Sequence, residues 1–168
     1  MRILILVLTT IVAFNSCKQE EESPLLSSGE VQKQILDKAR EVVWGLNHKD
    51  SDTLMSQFWK SDDALFIING NMVKGYDNIE KGLKQGMLAR KLFQLKITNE
   101  FVEVFTPVSA MHVAEFEQEV TDQNDSAFTE KGSWSAFYRK LEDQWKVVLV
   151  HESYYPLKPK TTSEAGEE

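Results

Sequence analysis

The hydrophobic period changes once along this chain, and that change limits the fold more than any single motif. As far as about residue 90, apolar residues recur at helical spacing; from Phe93 onward they alternate. Ser27 and Glu30 have capping-box spacing, and Val31, Ile35, Ala39, Val42, Val43 and Leu46 follow as one buried stripe. Asn47 to Asp50 break that helix. A short second helix is predicted from Ser51 to Trp59, with Leu54, Met55, Phe58 and Trp59 as its apolar members. Ala64 to Ile68 is β-rich, Asn69-Gly70 is a strong hairpin signal, and Met72 to Lys74 returns. A third helix runs from Tyr76 to about Arg90, with Ile79, Leu83, Met87 and Leu88 inward. Four alternating runs then span residues 93–105, 108–121, 127–141 and 145–154, separated by Thr106-Pro107, Asp122 to Asp125 and Glu142 to Gln144. Helices first and long strands afterwards specify an α+β domain. Its three N-terminal helices should cover one face of a strongly bent antiparallel sheet and leave a cone-shaped cavity.

The N-terminus carries an address. Met1-Arg2, an apolar run from Ile3 to Phe14 and then Asn15-Ser16-Cys17 read as a secretory signal too short to span a bilayer. Phe14 to Cys17 resembles a bacterial lipobox, and Cys17 is the sole cysteine. That resemblance implies cleavage before Cys17 and acylation of its sulfur and amine, which makes attachment stable; the alternative is a secreted protein with one stray thiol. Glu20-Glu21-Glu22 resembles the export signal of surface lipoproteins in Bacteroidetes-type bacteria, although an acidic spacer would look the same. The expected organisation is a signal peptide at 1–16, an acidic flexible tether at 17–28, one domain at 29–157 and a disordered tail at 158–168. The expected location is the cell envelope, as a surface-exposed outer-membrane lipoprotein. The formal net charge is -7 with an isoelectric point near 5.1, and no Lys/Arg cluster stands out, which argues against nucleic acid as a partner. Acidity also disfavours electrostatic attachment to anionic lipid and leaves membrane binding to the anchor.

Several short stretches, in order, resemble the nuclear transport factor 2-like superfamily and its SnoaL-like branch. They are Lys49-Asp50, Phe58 through Asp63, Gly75 to Ile79, Gly132 to Ser135, and Trp145 to His151, covering almost all of Val31 to Tyr155. The resemblance implies a conical roll of the cystatin-like kind, no cofactor, and either ligand binding or proton transfer next to a carbonyl, as in ketosteroid isomerases. Many relatives have a second histidine where this chain has Leu149. Together with the lack of a clean acid–base pair, this favours binding over catalysis.

Strand parity combined with the resemblance selects site residues. Trp145, Val147, Leu149, His151 and Ser153 are expected on the cavity side of the last strand. Ala110, His112, Ala114 and Phe116 are expected inward on the second long strand, with Ser135 and Phe137 inward on the third. On the first long strand Phe93 through Phe105 at alternate positions share a face. His112 and His151 are the catalytic candidates, because imidazole gives and takes protons near neutrality; a pair of hydrogen-bonded, half-buried histidines is the alternative. Asp63 is a third candidate as a carboxylate base, or else a local turn residue. Trp59, Phe58, Phe116, Ser135 and Ser153 are the ligand-binding candidates. Two histidines without a third ligand make no metal site. Trp134, Ala136 and Tyr138 are expected on the outer face, where a second copy packed sheet to sheet would cover them.

Overall fold

The computed structural model describes residues 27–155. The signal, Cys17, the tether before residue 27 and the tail lie outside the described residues. Helix α1 spans Ser28–His48, α2 Ser51–Ser56 and α3 Tyr76–Leu88; the strands are β1 Leu65–Ile68, β2 Asn71–Lys74, β3 Arg90–Thr106, β4 Ser109–Asp122, β5 Ala127–Leu141 and β6 Gln144–Tyr155.

The capping box forms as expected: the Ser27 backbone N–H donates to Glu30 at 2.8 Å, and the Glu30 N–H donates to the Ser27 hydroxyl at 3.4 Å. Helix α1 ends with Lys49 in the left-handed region at φ 53°, and the Asp50 N–H closes back onto the Gly45 carbonyl at 2.8 Å. Asp50 then caps α2 by accepting from the backbone of Asp52 and Thr53. A Cβ on Gly45 would lie 3.1 Å from the Leu54 nitrogen, so a residue with no side chain lets α2 fold directly back on α1.

The six strands form one sheet in the order β2-β1-β6-β5-β4-β3. The pairs are antiparallel except β1 with β6, which is parallel, so the sheet is mixed where a wholly antiparallel one was expected. Asn69 and Gly70 make the hairpin at positive φ. Asn69 also fastens it to β6, donating its backbone N–H to the Glu152 carbonyl at 3.1 Å and accepting the Tyr154 N–H at 3.0 Å. At the other edge α1 lies along β3, where Asn47 both donates to the Leu95 carbonyl and accepts its N–H. The concave face packs on the helices, with Val31, Ile35, Leu54, Ile79, Phe116 and Val147 among the most buried residues.

The faces depart from the expected parity in three places. Ala110, His112, Ala114 and Phe116 are concave, as expected, and their partners on β5 are Tyr138, Ala136, Trp134 and Gly132. Cross-strand partners share a face. Trp134, Ala136 and Tyr138 are therefore inside, and Ser135 and Phe137 outside. On β6, Tyr138 pairs with Val147 but Phe137 pairs with Leu149, so Val148 is an extra residue in a bulge. Trp145 and Val147 point inward as expected, but beyond the bulge Val150, Glu152 and Tyr154 do so, and Leu149, His151 and Ser153 turn outward. β3 repeats the device, with Thr98 as the extra residue: Phe93, Leu95 and Ile97 are inward, then Glu100, Val102 and Val104, while Phe101 and Phe105 are exposed. Gly132 is required by its neighbours. A Cβ there would lie 2.5 Å from the Phe116 ring and 2.6 Å from the Ser153 carbonyl oxygen.

Candidate functional site

Between the helices and the concave face lies a cavity of about 290 Å³, at the lower end of the ~300–1,000 Å³ usual for ligand sites. Its walls are mostly apolar, with Leu46 from α1, Leu54 from α2, Phe58 just beyond it, Leu83 and Met87 from α3, and Phe66 from β1. Helix α3 also turns Gly82 and Gly86 to the cavity. A Cβ on Gly82 would meet nothing within 4 Å. Glycine inside a helix costs about 1 kcal/mol relative to alanine; Gly82 is exposed and stands at the rim of the cavity.

His112 and Glu152 both meet this cavity from the sheet. His112 on β4 is 1% exposed. Its Nδ1 lies 3.1 Å from the Trp134 Nε1–H, which can only donate, so Nδ1 accepts and Nε2 carries the proton. Nε2 lies 2.9 Å from the Glu100 carboxylate and donates to it. Burial pushes the imidazole below its ordinary pKa, and the Glu100 hydrogen bond and charge only partly oppose this. His112 is thus a neutral ring with both nitrogens engaged. It lies in the cavity wall as expected, but it offers neither a free lone pair nor a free proton.

Glu152 on β6 is different. Its register partners are Trp134 on β5 and Ile68 on β1, and all three line the cavity. The Tyr154 hydroxyl donates to Oε1 of Glu152. Among the described residues, Oε2 has no hydrogen-bond partner. Burial raises the Glu152 carboxyl above the usual range, against the Tyr154 hydrogen bond and the Arg90 charge; the Glu130 charge raises it further. Burial also drives the Tyr154 phenol well up. Arg90 lines the same cavity, but its Nη1 donates to the Gly86 carbonyl at 2.9 Å and its guanidinium lies 5.4 Å from the Phe93 ring centre.

The other sequence candidates are scattered. Phe58 lines the cavity. Phe116 stands one layer behind, with ring centres 5.1 Å from Trp134 and 5.6 Å from Tyr154. Trp59 is half-buried outside the cavity wall and gives its backbone N–H to Val147 at 2.9 Å. His151 is exposed on the convex face, opposite Ser135. Ser153 is there too, with its hydroxyl 3.3 Å from that of Ser133. Asp63 is exposed and ion-paired to Lys74 at 2.9 Å. The expected cavity-side placement of His151 and Ser153 is therefore corrected by the bulge at Val148, and that of Ser135 by the β4–β5 register. Glu152, Tyr154 and Trp134 were missed by the same slip. A usable signal was present on β5, where the large residues Trp134 and Tyr138 alternate with Ser133 and Ser135 and mark the buried face.

Comparison with known proteins places this geometry. No curated protein matches the chain. Among solved structures, a nuclear transport factor 2-like superfamily protein from Salmonella enterica superposes with a TM-score of 0.71 at 19% identity, covering 83% of this chain and 100% of that one. A protein with a cystatin-like fold from Caulobacter vibrioides gives 0.64 at 14% identity, covering 74% and 89%. A hexachlorocyclohexane dehydrochlorinase gives 0.65 at 16% identity, covering 80% and 94%. At these identities the likeness is one of fold. The SnoaL-like domain family matches residues 41–158, which take in the C-terminal end of α1, the whole sheet and every polar residue of the cavity, and the chain belongs to that family.

Proposed function

We propose that this domain binds a small, mainly apolar molecule in the cavity, and that Cys17 anchors it to the outer membrane. The observation that carries the binding reading is the cavity itself: about 290 Å³, apolar on most sides, with an unpartnered carboxyl oxygen at one place in its wall. The closed hydrogen bonding of His112 supports binding over histidine catalysis. Binding is tested with a neutral apolar fluorophore, N-phenyl-1-naphthylamine. The wild type should enhance its emission, and Gly82→Leu, which places a side chain at the rim of the cavity, should weaken the enhancement without lowering the melting temperature. Equal emission from both proteins, or none from the wild type, overturns the reading. For the anchor, a palmitate analogue should label the wild type and not Cys17→Ser.

A second reading, proton transfer next to a carbonyl, is favoured by one observation, the raised carboxyl of Glu152 inside an apolar wall. It would use Glu152 in place of His112, His151 or Asp63. Turnover of a conjugated ketone that disappears in Glu152→Gln would establish it.

The homodimer is proposed on residues other than those first expected. Trp134 and Tyr138 are internal, but Phe101, Phe105 and Phe137 lie on the convex face, with Phe105 and Phe137 ring centres 5.8 Å apart. A second copy covering them should give a dimeric mass at micromolar concentration, and Phe137→Glu a monomeric one.

A further inference from the structure

We infer that the open oxygen of Glu152 is the seat of a protonated amine, so that the molecule held in this cavity is an apolar amine; this rests on the binding function proposed above. The register sets Glu152 between Trp134 and Ile68 on the flanking strands, with Tyr154 next to it on its own face. One carboxyl oxygen is taken by the Tyr154 hydroxyl, and the other has no partner among the described residues. An ammonium there would gain a charge-assisted hydrogen bond with an indole and a phenol as neighbours, groups that favour organic cations. Phe116 braces both rings from behind.

The charges around the site agree with a cation. The charged and titratable groups that act on Glu152 are Arg90 at the start of β3, Glu130 on β5 and Tyr154 on β6. Glu130 is held by the Gln118 amide at 2.5 Å. Arg90 is turned to the C-terminal end of α3, where it donates to the Gly86 carbonyl, and it makes no ion pair with Glu152. Two carboxylates and one guanidinium leave one negative charge in excess once Glu152 is ionised. A single ammonium balances it, and an anion adds to the excess.

An unpaired carboxylate in an apolar wall is costly, so burial favours the protonated acid. When an ammonium binds, the carboxylate form is favoured; any proton Glu152 carries goes to solvent, and the products are the bound ion pair and that proton. Affinity should therefore rise with pH as Glu152 ionises, and fall again where the amine itself loses its charge.

The test is calorimetric titration of the full-length protein at pH 7.5 with three molecules of matched shape: 2-phenylethylamine, 2-phenylethanol and 3-phenylpropionate. The amine should bind at least tenfold more tightly than the alcohol. Glu152→Gln keeps a hydrogen-bonding group beside Tyr154 and should bring the amine's affinity down to that of the alcohol. Equal binding of amine and alcohol to the wild type overturns the inference in favour of a neutral acid donating to an oxygen. Preference for the propionate overturns it in favour of Arg90. If none of the three binds, the amine assignment fails. Emission from N-phenyl-1-naphthylamine then decides separately whether the binding function survives.

Discussion

His112 and Glu152 stand on the same concave face, on β4 and β6, with Trp134 from β5 between them. Both are titratable groups in an apolar wall, and burial disfavours the charged form of each. His112 has closed its valences inside the protein, one nitrogen to Trp134 and the other to Glu100. Glu152 has closed one and keeps one for whatever enters. Burial and residue type therefore do not identify a reactive group; the count of satisfied hydrogen-bond positions does. On that count the histidine is part of the framework and the glutamate is part of the site.

The largest expected effect tests the framework side. His112→Ala leaves the Trp134 N–H unpartnered, takes the donor from Glu100 and opens a void, so chemical denaturation should show a loss of about 2–4 kcal/mol. A loss no greater than that of a surface substitution would break the comparison. Trp134→Phe removes the donor to Nδ1 and part of the ring that packs on Phe116, and should cost about 1–3 kcal/mol. It should also free that nitrogen, moving the His112 titration, followed by NMR, toward the ordinary histidine value.

Glu152→Gln sharpens the contrast through pH. The folded Glu152 pKa is raised above its unfolded value, so its contribution is fully present below the unfolded pKa of 4.5 and is lost as pH rises through the folded pKa. Glu152→Gln lacks this loss, so its stability relative to wild type should improve steadily from pH 4.5 upward. The folded His112 pKa is lowered, so its effect has the opposite sense: stability falls as pH drops below 6.5. A Glu152→Gln gap that is constant with pH would mean that this carboxyl ionises as freely in the fold as outside it. The smallest effect belongs to His151→Ala. An exposed convex-face residue should change stability by no more than about 0.5 kcal/mol and leave fluorophore binding intact.

The elements were legible because their signals are local. Ser27 and Glu30 made the cap, Asn69-Gly70 the hairpin, and the change of period near Phe93 the order of helices and strands. The site was less legible because facing is not local. The extra residues Thr98 and Val148 each invert the parity of everything that follows them in the strand. At Val148 the sequence hides this inside the run Val147-Val148-Leu149-Val150, where alternation carries no information. The β4–β5 register depends in turn on Thr121 meeting Ala127 across the connection, and a shift of one residue exchanged Trp134 for Ser135.

Gly132 sits outside the cavity wall, yet it controls the wall from a distance. A methyl group at that position would collide with β4 through Phe116 and with β6 through the Ser153 carbonyl, and so would push two strands apart at once. Phe116 is the brace behind Trp134 and Tyr154. The missing hydrogen-for-methyl exchange at residue 132 thus works as a spacer gauge, setting from behind how closely the two aromatic rings close on Glu152. Selection for a wider or narrower cavity has a handle there that is no part of the cavity wall.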